Sequence, residues 1–156
     1  MYMRIAEAVA KTSSGVRLKV GAVAVKNNMV IGTGYNALPS GLHGSYEDRE
    51  YWDVLDDSQN IQDFPLLDEN RYSYRLVTKA EVRHAEANLL LNLAKSTESS
   101  EGATIFCTHS CCKFCAMDIV DSGVKEVYYL HNYRDSSGID YLVKNGVKVN
   151  KIELGD

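Results

Sequence analysis

Two short segments, His84-Ala85-Glu86 and Cys112-Lys113-Phe114-Cys115, constrain the fold of this chain more than any other part of it. An imidazole and two thiols are ligands that zinc prefers, and His with two Cys leaves the fourth tetrahedral position open for water. A carboxylate two residues beyond the histidine, next to that water but not on the metal, can carry protons. To share one ion the two segments have to meet in space. Cys112 and Cys115 share a face if they lie on a helix. A helix starting near Cys112 also turns its free N–H groups and its dipole toward the thiolates. His84 and Glu86, near the start of another helix, point into the same space if both helices pack on one face of a sheet. Two thiolates and a neutral imidazole neutralise Zn²⁺, and water bound there ionises near pH ~7.

The hydrophobic pattern supplies such a sheet. Met1, Ile5, Ala8, Val9 and Thr12 fall on one face of a helix that runs to about Lys11 and is closed by Thr12-Ser13-Ser14-Gly15. Segments 20–26 and 29–35, joined by a tight turn at Asn27-Asn28, read as a β-hairpin, after which 34–41 leaves the sheet as a loop. Segment 84–95 is apolar at Ala85, Ala87, Leu89, Leu90, Leu91, Leu93 and Ala94, which predicts a helix buried on most sides. Thr78-x-x-Glu81 resembles a capping box and could start that helix earlier. Then come a strand at 104–108, a helix at 112–122 closed by Gly123, a strand at 124–130, a helix at 137–144 ending at Gly146, and a strand at 147–152. Strand, helix, strand, helix, strand implies parallel pairing with right-handed crossovers. The expected fold class is α/β. It is a three-layer α/β/α arrangement whose mixed five-stranded sheet, an N-terminal hairpin plus parallel strands, is flanked by helices in a single domain over 1–156.

Charge and cysteine placement bound the function. Seventeen Lys and Arg against 21 Asp and Glu leave a net charge of −4, so no overall basic field favours a nucleic-acid partner. No apolar run approaches the ~20 residues of a membrane span and the N-terminus lacks a secretory pattern, so a cytoplasmic protein without a membrane partner is expected. All four cysteines lie between Cys107 and Cys115, whereas a disulfide framework would spread them. Segment 45–70 carries nine acids against Arg49 alone, with Trp52, Val54, Leu55, Phe64, Leu66 and Leu67 among them. It reads as an acidic insertion, either a solvated surface segment anchored by a few apolar residues or a lid or subunit contact near the site.

Rival readings of the cysteines stay open at this level. Cys112-x-x-Cys115 alone could be a redox pair, though that chemistry has no need of His84 or Glu86. A closed structural site would recruit Cys111 or His109 as fourth ligand. A Cys111/Cys115 pair could also reach a metal, whereas the x-x spacing favours Cys112 and leaves Cys111 as a packed thiol. Cys107 reads as a core residue. His43, His109 and His131 read as surface or loop histidines.

The motif H-x-E followed by P-C-x-x-C is the signature of zinc deaminases acting on nucleobases. Together with Arg17-x-x-Val20-Gly21-Ala22-Val23, Gly34-Tyr35-Asn36-x-x-Pro39-x-Gly41 and Cys107-Thr108-His109-Ser110-x-Cys112-x-x-Cys115, it makes the chain resemble the deoxycytidylate (dCMP) deaminases of the cytidine deaminase-like superfamily. The resemblance covers most of the chain outside the acidic insertion. It implies one catalytic Zn²⁺ on His84, Cys112 and Cys115, with Glu86 as proton shuttle in the hydrolysis of dCMP to dUMP and ammonia. It also implies Asn36 at the sugar and base, the Ala85 backbone at the base edge and Tyr133 near the substrate. Arg134, Arg17 and Lys113 are candidate phosphate contacts. A homo-oligomer, commonly a hexamer, activated by dCTP and inhibited by dTTP is implied as well, with Mg²⁺ entering only with a triphosphate effector.

The chain departs from that family at three places. Cys111 stands where proline precedes the first cysteine, and Ala37 where the Gly-Tyr-Asn segment continues with glycine. Gly15 and His43-Gly44 stand where some members hold a second, structural zinc, so no second zinc is expected. A nucleoside or tRNA-editing deaminase of the same fold is the near alternative, and a non-catalytic zinc or nucleotide-binding module the distant one.

Overall fold

Strand β1 (Gly21–Lys26) organises the architecture because both of its faces are apolar. Ala22 and Ala24 turn to one side and Val23 and Val25 to the other, all buried. In the computed structural model, which describes residues 1–155, β1 pairs antiparallel with β2 (Met29–Tyr35) through Asn27 and Asn28, both at positive φ. Its other edge pairs antiparallel with β6 (Thr104–His109), which continues in parallel to β7 (Glu126–His131) and β8 (Lys148–Lys151). The five-stranded sheet therefore has the order β2-β1-β6-β7-β8, mixed as the hairpin and crossover pattern implies.

Helix α1 (Tyr2–Ala10) covers one face, over Val23, Val25, Phe106 and Tyr128, with the last two rings stacked at 4.9 Å. Helices α2 (Ala85–Ala94), α3 (Lys113–Asp121) and α4 (Ser137–Lys144) accompany the other face, where Leu89, Leu93, Ile119 and Leu142 pack in one cluster with Ala22, Ala24, Ile105 and Val127. The result is the three-layer α/β/α fold.

Three local expectations change. The buried stripe of α1 is Met3, Ala6 and Ala10, while Met1 and Ala8 are exposed. The cause is close approach: a Cβ on Gly21 would lie 2.1 Å from the Ala6 carbonyl oxygen, so only the small-residue face of α1 fits against β1. Helix α2 buries one face only, with Leu91 45% exposed, because the sheet covers it from one side. Thr78 does not cap α2. It ends strand β5 (Ser73–Thr78), and His84 is the N-cap residue.

The acidic segment is folded. Strand β3 (Glu47–Tyr51) and the short β4 (Leu66–Leu67) flank β5 in a separate three-stranded antiparallel sheet. Phe64 is buried beneath the Arg75 guanidinium, 4.7 Å from its ring centroid, and Arg75 pairs with Glu50. Arg49 pairs with Glu69 within the segment, while Arg75 and Lys79, which pair with Glu50 and Asp48, come from β5 and just beyond it, outside the acidic stretch.

Candidate active site

The starts of two helices build the site. His84 precedes α2 with extended backbone, and Cys112 precedes α3 in the same way, its Sγ accepting the Cys115 amide at 3.4 Å. A sulfur at an N-cap position receives the otherwise unpaired N–H groups of the first turn, which favours thiolate. The His84 Nδ1 lies 3.4 Å from Cys112 Sγ and 3.5 Å from Cys115 Sγ. Tetrahedral zinc with ordinary Zn–N and Zn–S lengths requires N···S edges of about 3.6 Å, so the three donors fit the ion in type and spacing. Among the described residues, these three form the group of His, Cys, Asp and Glu side chains close enough to hold a metal, their ligand atoms all within 4.8 Å of one another.

Electrostatics sharpen the arrangement. The adjacent Cys115 thiol and amide, with His84 beside them, pull Cys112 down to about 4, whereas Cys115 is pushed up by its neighbour Cys112 and by burial. His84 is raised by its hydrogen bond to Cys112, against partial burial. Binding a divalent cation displaces such protons. Glu86, 4% exposed in the first turn of α2, is raised above the usual carboxylate range by burial. The Cys107 thiol, kept protonated by burial, donates to Glu86 Oε1 at 3.6 Å. Cys107 thus belongs to the core, as its strand position indicates, and also supports the carboxylate.

Cys111 is not part of the trio. It is 3% exposed, packed in the core cluster with its thiol pushed up by burial, and Gly138 of α4 presses on its carbonyl, where a Cβ would come within 2.1 Å. We expect Cys111→Ala to cost about 1–2 kcal/mol of stability and to leave bound zinc unchanged, as metal analysis of the purified variant would show. Loss of zinc would instead support a Cys111/Cys115 pair.

A cavity of about 710 Å³ opens over these groups, lined by His84, Ala85, Glu86 and Cys112 on one side. Asn36, Tyr133, Arg134 and Arg17 also line it, so all the substrate-contact candidates except Lys113 converge there; Lys113 is exposed on α3 outside the lining. Asn36 is partly engaged already. Its Oδ1 accepts the Val20 amide at 2.8 Å and its Nδ2 donates to the Leu18 carbonyl at 2.9 Å, which clamps the 18–20 wall and leaves one N–H and one lone pair free. The Arg134 guanidinium lies 5.4 Å from the Tyr133 ring centroid, and the Tyr133 amide donates to the buried Ser110 hydroxyl at 2.6 Å. Ala37 pairs with Arg83 by two backbone hydrogen bonds of 3.1 and 2.8 Å, locking the loop after β2 to the residue before His84. Ala37 is not among the residues at positive φ, so this backbone has no need of glycine there.

Sequence reasoning missed several lining residues: Tyr46, Glu47, Val77 and Thr78 from the second sheet, and Ser110 and His109 after β6. His109, read as a lone surface or loop residue, lines the cavity with its ring 5.0 Å from that of His131. The one sequence signal for the second-sheet residues was the apolar content of the acidic segment, and it carried no register.

Comparison with known proteins places this geometry in context. Residues 1–131 match the family model described as the cytidine and deoxycytidylate deaminase zinc-binding region. The deoxycytidylate deaminase of Enterobacteria phage T2 is 32% identical over 165 residues, covering 94% of this chain and 88% of that protein. The deoxycytidylate deaminase of Mycobacterium phage D29 is 35% identical over 129 residues, covering 82% of this chain and 90% of that protein. The crystal structure of dCMP deaminase from the cyanophage S-TIM5 in complex with dCMP and dUMP superimposes with a TM-score of 0.78 at 38% identity, covering 97% of this chain and 93% of that one.

Proposed function

Since the chain belongs to the cytidine and deoxycytidylate deaminase family, we propose that it hydrolyses dCMP to dUMP and ammonia. The observation that carries the proposal is the meeting of His84, Cys112 and Cys115 beside a cavity large enough for a nucleotide, whose wall holds His84, Cys112 and buried Glu86. His84, Cys112 and Cys115 hold zinc, which when bound supplies a water acidic enough to react at neutral pH. Glu86 would take one proton from that water and pass it to N3 of the cytosine ring while the water oxygen bonds to C4. It would then carry the second proton of that oxygen to the exocyclic amine as the C4–N bond breaks, which releases ammonia and leaves the C4 carbonyl of dUMP. Burial raises the Glu86 carboxyl above its ordinary value, the direction that suits a group asked to accept and release protons. The Ala85 backbone, in the first turn of α2, meets the base edge. Asn36 offers its spare amide groups to the sugar and base, Tyr133 stands near the ring, and Arg17 and Arg134 meet the phosphate.

We further infer a homo-oligomer, a hexamer in the fullest form, activated by dCTP and inhibited by dTTP, with Mg²⁺ accompanying only the triphosphate. Exposed Leu91 on α2 and Phe114 and Met117 on α3 support association. A reduced, cytoplasmic setting agrees with four free cysteines, and no helix is long and apolar enough to cross a membrane among the described residues.

Ammonia release from dCMP, CMP, deoxycytidine and adenosine, measured beside zinc content, tests the reading. Turnover of dCMP with about one zinc per chain is expected, abolished by chelation and restored by added zinc. Turnover of deoxycytidine in preference to dCMP would move the chain to a nucleoside reaction and remove the phosphate role of Arg17 and Arg134. If dCMP is inert, the assay is repeated with dCTP and Mg²⁺. Zinc bound without turnover of any substrate would overturn the reaction.

A further inference from the structure

Glu47 opens strand β3, in register with Thr78 of β5, and both residues line the cavity. It is only 7% exposed. Its Oε1 is fully engaged, accepting the Val16 amide at 2.8 Å and the Arg17 amide at 3.2 Å. Its Oε2 has no hydrogen-bond partner, and among the described residues it is the buried side-chain oxygen or nitrogen left in that condition. A buried carboxylate oxygen without a donor is costly, and such a group in a native fold calls for a reason.

We propose that Glu47 is a substrate-binding residue that accepts a hydrogen bond from the sugar 3′-hydroxyl of the nucleotide, a specificity role that rests on the dCMP reading above. The donor inventory of the substrate leads to that group. A deoxycytidine monophosphate carries two kinds of donor, the exocyclic amine and the 3′-hydroxyl. The amine is the leaving group and belongs beside Glu86, on the wall built by α2 and α3. The phosphate offers only acceptors and is repelled by a carboxylate. The hydroxyl remains, and it suits a wall built by a different element, the β3–β5 sheet. The terminal torsion of a glutamate is soft, and although both oxygens turn together, a small rotation presents Oε2 to the cavity that Glu47 lines with Oε1 still within reach of the Val16 and Arg17 amides. Filling the vacant acceptor then couples sugar recognition to the wall that carries Arg17.

The test compares dCMP with its 2′,3′-dideoxy analogue, on the full-length zinc-loaded protein and on Glu47→Gln. Glutamine keeps one oxygen for the backbone amides and removes the charge that strengthens the hydroxyl contact. Wild type is expected to prefer dCMP by roughly 10–100-fold in kcat/KM, the range for a hydrogen bond to a charged group. In Glu47→Gln that preference is expected to shrink about tenfold, chiefly through KM for dCMP, with the dideoxy analogue nearly unaffected. Equal losses on both substrates would mean a purely structural role and overturn the proposal, as would a wild type indifferent to the hydroxyl. Calorimetric binding of dUMP against its 3′-deoxy counterpart, to wild type and to Glu47→Gln, needs no turnover. Equal affinities for wild type overturn the Glu47 assignment. A preference for dUMP that Glu47→Gln loses, without any deamination, upholds it and overturns the reaction alone.

Discussion

Glu86→Gln is expected to lower kcat by about 10³-fold, within the range for loss of a general acid–base group, while the protein keeps its fold and its zinc. The substitution is nearly isosteric in a site that is 4% exposed, so neither packing nor the trio of His84, Cys112 and Cys115 is disturbed. Cys107 can donate to a glutamine oxygen as it does to Glu86 Oε1. What disappears is the group that the proposed mechanism uses to carry one proton to N3 and a second to the leaving amine. Single-turnover rates on dCMP together with metal analysis give the result. A variant that retains zinc and more than a tenth of wild-type turnover would place the proton transfer elsewhere, and His109, which lines the same cavity, would be the group to examine.

Gly34→Ala should damage the fold and the site together, because it sits against the helix that carries Glu86. A Cβ at Gly34 would lie 2.4 Å from the Ala85 carbonyl oxygen and 2.4 Å from the Leu89 amide nitrogen. Both are backbone atoms of α2, so no side chain can yield and the helix itself must lift from β2, taking His84 and Glu86 with it. We expect a loss of about 2–4 kcal/mol, the range of severe overpacking, and a Tm lower by about 5–10 °C for a chain of this size. Zinc affinity should fall together with stability, because the histidine moves relative to the two cysteines on α3. Gly32→Ala is the matched control. Its closest contact is the Leu93 Cδ2 at 2.8 Å, the end of a flexible side chain, so its cost should be clearly smaller. Calorimetry and zinc content of the two variants, measured side by side, decide the point. Equal, mild effects would show that α2 has more freedom over the sheet than the close approach implies.

Much of the fold is legible in the residues. The hairpin at Asn27-Asn28, the helices closed by Gly123 and Gly146, and the parallel run β6-β7-β8 follow from turn chemistry and short-range periodicity, and the structure has each of them. The meeting of His84, Cys112 and Cys115 is legible for a different reason. Few side chains suit zinc, and their spacing makes sense only at helix starts. Reading failed where the pattern permitted two answers. The N-terminal helix is apolar on two sides, and only the absence of a side chain at Gly21 selects Ala6 and Ala10 for the sheet. Helix α2 reads as buried on most sides, yet a helix on the outside of a three-layer fold meets the sheet along one stripe. Thr78-x-x-Glu81 imitates a cap, but Thr78 is held in β5 opposite Glu47.

The sequence by itself determined the types and order of the elements of the main sheet and the donor types of His84, Cys112 and Cys115 with their neighbouring carboxylate. Both are local properties, set by side-chain periodicity, turn residues and ligand preference within short segments. Only the tertiary structure decided which face of α1 is buried, where α2 begins, and that Tyr46, Glu47, Thr78 and Ser110 complete the cavity. Those outcomes depend on residues far apart in the chain being brought together, by the Ala37–Arg83 bridge and by the docking of a second sheet against the site. Contacts of that kind depend on register and close approach between segments, and neither leaves a mark in the residues of any one of them.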